Sequence, residues 1–81
     1  MKSFLLEVRS PERTIFMGPV TSVSATAVDG GLSVLADHAP LATMLAPGPL
    51  RYQLEGGDEV RLDAGQGFLI VKDNQATVLL K

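Results

Sequence analysis

Phe68-Leu69-Ile70-Val71-Lys72-Asp73-Asn74-Gln75-Ala76-Thr77-Val78-Leu79-Leu80 reads as two short strands joined by a turn at Asp73-Asn74. A two-residue loop there pairs Leu69 with Val78 and Val71 with Ala76, apolar against apolar. The same period of two runs outward through the chain. Leu50, Tyr52 and Leu54 alternate with Arg51, Gln53 and Glu55, and Val60 and Leu62 alternate with Glu59, Arg61 and Asp63. A two-residue turn at Gly56-Gly57 would set Leu54 opposite Glu59. A three-residue loop, Gly56 to Asp58, instead sets Leu54 against Val60, Tyr52 against Leu62 and Arg51 opposite Asp63. Its cost is Glu55 facing Glu59, a few tenths of a kcal/mol for an exposed pair.

Further out, Asp29-Gly30 is a type I′ hairpin signal that pairs Ala27 with Leu32, Ala25 with Val34 and Thr26 with Ser33. Val20 to Val28 is then a strand, with a bulge expected between Val20 and Val23, where strict alternation breaks. Phe4, Leu6 and Val8 alternate with Leu5, Glu7 and Arg9 until Ser10-Pro11 ends the run. Arg13 to Phe16 reads as a second short strand, stopped by Gly18-Pro19. Asp37-His38-Ala39-Pro40 is too polar and turn-like for a strand, whereas Leu41 to Leu45 can form a short one. Ala46-Pro47-Gly48-Pro49 predicts a tight turn with Gly48 at positive φ. No segment carries a helical stripe, and there is no internal repeat or linker. The fold class is all-β: one small flattened sandwich or barrel, residues 1–81, of about nine to ten short, mostly antiparallel strands.

Composition narrows the function. Apolar residues are 46% and charged residues 20% of the 81, which is globular. Seven basic against nine acidic residues give a net charge of −2, and the basic ones are dispersed. No stripe exists to neutralise a run of phosphates, which argues against nucleic acid. The absence of cysteine excludes a disulfide framework, a thiolate zinc site and a cysteine nucleophile. The longest aliphatic or aromatic run, Phe68 to Val71, is far short of a membrane span, so no direct membrane insertion is expected. Met1-Lys2-Ser3-Phe4 lacks the features of a signal peptide.

Little in the chain looks catalytic. His38 is the lone histidine, and with Asp37 beside it a general base or metal ligand can be imagined. One histidine cannot make a His-rich zinc site, and neighbours on a strand point to opposite faces. A loop histidine making hydrogen bonds or an interface contact is the stronger reading. Ser10 has no base in local sequence and reads as a turn serine. Gly65-Gln66-Gly67 lacks the lysine and helix of a phosphate loop and reads as relief at a tight strand start. The expectation is no catalytic residue, no metal and no cofactor. A docking surface is one reading; a free-standing β-domain binding a small ligand, with only Tyr52 and three phenylalanines to line a pocket, is the alternative.

Three stretches carry a resemblance. The first is Ser10-Pro11-Glu12-Arg13 with Phe16, Gly18 and Val20. The second and most specific runs from Gly31-Leu32-Ser33-Val34-Leu35-Ala36 through Asp37-His38-Ala39-Pro40-Leu41 to Thr43, Leu45, Pro47, Gly48 and Leu50. The third is Gly65, Gly67-Phe68-Leu69, Val71, Asn74 and Val78-Leu79. Together they make the chain, over roughly residues 4 to 80, resemble the N-terminal β-sandwich domain of the epsilon subunit of the proton-translocating F-type ATP synthase. The resemblance implies a non-catalytic rotor part that binds the gamma subunit and rests on the c-ring, on the cytoplasmic face of a bacterial inner membrane. Carried over by motif, the gamma-facing residues are Ser10, His38, Ala39, Pro40 and Thr43, and the turn Asp29-Gly30-Gly31 faces the ring. Some members carry an acidic residue where Gly31 stands, a charge that glycine cannot supply. Many members continue into a helical hairpin that restrains ATP hydrolysis and in some binds ATP. This chain stops at Lys81, where those helices would begin, so neither a helical arm nor a nucleotide site is expected on it.

Overall fold

A computed structural model describes residues 2–81; Met1, the first residue of the expected domain, lies outside the described residues. Every regular element in it is a strand: β1 (Phe4–Arg9), β2 (Thr14–Ala27), β3 (Gly30–Leu35), β4 (Leu41–Leu45), β5 (Gly48–Leu54), β6 (Glu59–Ala64), β7 (Gly67–Lys72) and β8 (Gln75–Leu80). One layer runs β1-β8-β7-β4, and the other is built on β2, with β3 on one side and β5 then β6 on the other. β1 and β8 are parallel, and all other pairs are antiparallel. The long β2 belongs to both layers. Its first half pairs with β1 and its second half with β3 and β5, so it folds one sheet over onto the other.

The bend in β2 falls where alternation fails. The register against β5 shifts between Val20 and Ser22, and Val20 and Thr21 are buried in succession. The interior gathers the in-facing set of every strand, with Leu6 and Val8 from β1, Leu69 from β7, Val78 from β8 and Leu50 from β5 almost wholly shielded. Phe16 and Tyr52 meet with ring centroids 4.6 Å apart across the inside of the bend.

Among the described residues there are eight strands, fewer than the nine to ten expected, because β2 runs through Gly18-Pro19 instead of stopping there. Pairing with β5 begins only at Val20, so one side of β2 is open at Pro19, and an open side asks for no amide. The β7–β8 hairpin has the predicted register, with Asp73 and Asn74 at φ 52° and 58°. Two other hairpins slide by one residue on each strand. Ala27 pairs with Gly30, Ala25 with Leu32 and Val23 with Val34, so the turn is Val28-Asp29 and Gly30 alone takes positive φ, 134°. On β5–β6, Tyr52 pairs with Val60, Leu50 with Leu62 and Arg51 with Arg61. The loop there is Glu55-Gly56-Gly57, closed by the Leu54 amide donating to the Asp58 carbonyl at 2.8 Å. Both shifts put a glycine, Gly30 or Gly57 (φ 99°), where the loop needs positive φ, and the second also avoids setting Glu55 against Glu59.

Gly48 is not the positive-φ turn residue expected; it opens β5, where a Cβ would come within 2.8 Å of the Thr26 hydroxyl. At Gly67 a Cβ would collide with the Leu79 carbonyl, which is the tight strand start that the glycine pair predicted.

Candidate functional site

The two outer faces of this sandwich differ in chemistry. On the β1-β8-β7-β4 layer, one lateral row is Arg9, Leu79, Phe68 and Met44, and the next is Met17, Glu7, Thr77, Ile70 and Ala42. Leu5 stands in the following row. The apolar members Leu5, Met17, Met44, Phe68, Ile70 and Leu79 are between 36% and 57% exposed. They are the out-facing half of strands whose in-facing half is core, so burial in this chain cannot cover them. The carboxylate within the face, Glu7, is partnered by Arg9 at 3.7 Å. The outer face of the other layer is mostly polar, carrying Ser24, Ser33, Arg51, Arg61 and Asp63, with Leu35, 54% exposed, as its large apolar member.

The residues expected at a gamma interface do not form one cluster. Ser10 follows β1 and His38-Ala39-Pro40 precede β4, at opposite corners of the apolar face: Arg9 is level with Met44, whereas Leu41 is level with Leu6. The two corners are roughly 20 Å apart across the sheet. Thr43 lies on the in-facing side of β4 with Leu41 and Leu45 and is half-buried. Ser10 and His38-Ala39-Pro40 therefore border the face, Thr43 lies on the inner side of its edge strand, and sequence reasoning missed the face itself. The signal was present: Leu5, Ile70 and Leu79 are apolar at positions that alternation assigns to the outside.

Ser10 and His38 each make a local hydrogen bond. The Ser10 hydroxyl accepts from the Arg13 amide at 3.3 Å, while the Ser10 amide donates to the Arg13 carbonyl at 2.9 Å, which closes the β1–β2 turn. Nδ1 of His38 donates to the Ala39 carbonyl at 2.7 Å, so Nδ1 carries a proton and a backbone carbonyl orients the ring. Among the described residues no group of three His, Asp or Glu could hold a metal ion. Burial pushes the Tyr52 phenol up from its ordinary value.

The turn Asp29-Gly30-Gly31 is exposed at a different place. It is pinned to the end of β4, where the Val28 amide donates to the Met44 carbonyl at 3.1 Å and the Ala46 amide to the Thr26 carbonyl at 3.0 Å. Beside it lies an apolar groove of about 300 Å³, lined by Val28, Met44, Pro47 and Phe68 with Lys81 at its rim. No helix of the structure is long and apolar enough to cross a membrane.

Comparison with known proteins adds an independent line. Residues 3–81 match the family described as ATP synthase, Delta/Epsilon chain, beta-sandwich domain. The chain is 42% identical over 79 residues to the ATP synthase epsilon chain of Chromohalobacter salexigens, covering 98% of this chain and 56% of that one. To the ATP synthase epsilon chain of Brevibacillus brevis it is 33% identical over 79 residues, covering 98% and 60% respectively. It thus spans somewhat over half the length of these relatives. Among solved structures, it is similar to a chain of the Euglena gracilis mitochondrial ATP synthase (OSCP/F1/c-ring, rotational state 1), with a TM-score of 0.91, 26% identity, and coverage of 96% of this chain and 50% of that chain. A chain of the Tetrahymena thermophila mitochondrial ATP synthase central stalk and c-ring shares the fold at a TM-score of 0.81 and 18% identity, covering 98% of this chain and 63% of that one.

Proposed function

Because the chain belongs to the family of ATP synthase delta/epsilon-chain β-sandwich domains, we propose that it is a non-catalytic part of the central stalk of an F-type ATP synthase. In this reading it fastens the gamma subunit to the c-ring and helps couple proton flow to ATP synthesis, at the cytoplasmic face of a bacterial energy-transducing membrane. The observation that carries the reading is the exposed apolar face of the β1-β8-β7-β4 layer. An apolar face on a small domain marks an interaction site. Its rows cover roughly 15 by 17 Å. A stable interface needs about 800 Å² from each partner, so the border must contribute as well. Ser10 and His38-Ala39-Pro40 supply that border, with Thr43 contributing through β4. The turn Asp29-Gly30-Gly31 then meets the ring beside an apolar groove. Two stacked sheets sharing β2 resist shear, which suits a part that transmits torque and performs no chemistry.

Binding of the chain to purified gamma subunit tests this. The expected result is micromolar or tighter affinity, weakened about tenfold by Ala39→Glu, as for a border residue beside a desolvated centre. Wild-type protein that fails to bind gamma at micromolar concentration overturns the proposal.

A further inference from the structure

We propose that Asn74, in the β7–β8 turn, is a positioning residue that holds the His38–Pro40 segment in its docking shape. Its side-chain carbonyl accepts the Asp37 amide at 2.7 Å. Its side-chain amide donates to the Ser3 carbonyl at 3.3 Å, and its own carbonyl accepts the Leu5 amide at 3.3 Å. One residue thus ties together the start of β1, the last hairpin and the bend that leads into β4. These are distant in sequence, 71 residues for the bond to Ser3 and 37 for the bond to Asp37.

The bend needs such a tie. Asp37 sits at φ 62°, a left-handed conformation that a non-glycine residue adopts at a cost. The His38 side chain bonds to its own neighbour, Ala39, which ties it to nothing distant. The Lys2–Asp37 ion pair at 2.6 Å is open to solvent on both sides and contributes little. Downstream, Pro40 restricts Ala39 to extended backbone and the segment is then fixed by β4 pairing. Upstream, the Asn74 side chain is the neutral, well-formed bond that sets where His38 begins. Asparagine fits for two reasons at once: it tolerates its own φ of 58°, and it carries both an acceptor and a donor.

The inference rests on the proposed docking to gamma, and the test separates the two. Asn74→Gly keeps the positive φ of the turn and removes both side-chain bonds. Asn74→Asp keeps the acceptor for Asp37. In Asn74→Gly, exchange of the Asp37 amide, followed by nuclear magnetic resonance, should speed up about fivefold, and gamma affinity should fall about fivefold, as expected for one net hydrogen bond. Asn74→Asp, which keeps the acceptor and loses the donor to Ser3, should restore the slow exchange of the Asp37 amide and part of the gamma affinity. Wild-type protein that does not bind gamma sinks the functional reading. Wild-type protein that binds, with Asn74→Gly binding equally well or keeping the Asp37 amide protected, overturns the role of Asn74 alone.

Discussion

The two layers of this sandwich bury the same kind of side chain and display different mixtures, mostly apolar on one and mostly polar, with Leu35 among them, on the other. Leu6, Leu69 and Val78 on one layer and Leu50, Val23 and Val34 on the other are equally hidden. Outside, Ile70, Phe68 and Met44 stand where the second layer has Arg51, Ser24 and Ser33. Burial explains the first set completely, since period-two alternation with one face inside is all a sandwich needs. It does not explain the second. A solvated sheet face gains about 1 kcal/mol or less from each isoleucine or phenylalanine, through strand preference and cross-strand pairing; an apolar cluster on one face and not the other fits the proposed contact with gamma.

The largest effects should show that the insides are equivalent. Leu69→Ala in one layer and Leu50→Ala in the other should each cost about 2–5 kcal/mol of stability, measured by denaturant unfolding. A large asymmetry would mean that one layer is not part of the same cooperative core. The outsides should then separate. Ile70→Glu should lower gamma affinity by about a hundredfold, a central hot-spot effect, while changing stability by about 1 kcal/mol or less. Equal affinity in Ile70→Glu and in a charge change on the second layer would erase the distinction.

A smaller effect concerns pH. Tyr52 lies inside the second layer, and burial raises its phenol above the ordinary value of 10.0. A raised folded-state value means that the neutral form is favoured by folding, so this contribution is present below the unfolded value and is lost as pH rises through the folded one. Tyr52→Phe should therefore flatten the loss of stability above about pH 10 and leave neutral pH unchanged. The smallest effect belongs to the polar face. Arg51 stands directly opposite Arg61, so Arg51→Glu should stabilise by a few tenths of a kcal/mol and leave gamma binding as it was. Weakened gamma binding in Arg51→Glu would extend the docking surface around the sandwich.

How much was legible depends on distance along the chain. The β7–β8 hairpin could be read because Asp73-Asn74 allows one good turn and the alternation fixes one register. The β2–β3 and β5–β6 hairpins slid because each alternation accepts a two-residue shift in pairing without changing faces. There the choice fell to where a glycine takes positive φ, a matter of tenths of a kcal/mol to about one. Pro19 looked like a stop because a proline's tolerance depends on whether β5 lies beside it, and nothing near Pro19 encodes that. The set of residues expected to dock came from family motifs. Ser10 carries no local pattern that marks docking, His38 offers only the choice between a hydrogen bond and an interface contact, and the apolar face went unseen because its members come from five separate strands.

By itself, then, the sequence determined an all-β chain, the in-facing side of each strand and the Asp73-Asn74 turn, because those follow from side-chain period and local backbone preference. Only the tertiary structure decided that β1 lies parallel to β8, that β2 bends between two sheets, and that Leu5, Met17, Met44, Phe68, Ile70 and Leu79 share one outer face. Those are neighbour relations between strands far apart in the chain. They are set by the packing of the whole core, and no single stretch of residues holds enough energy to choose among them.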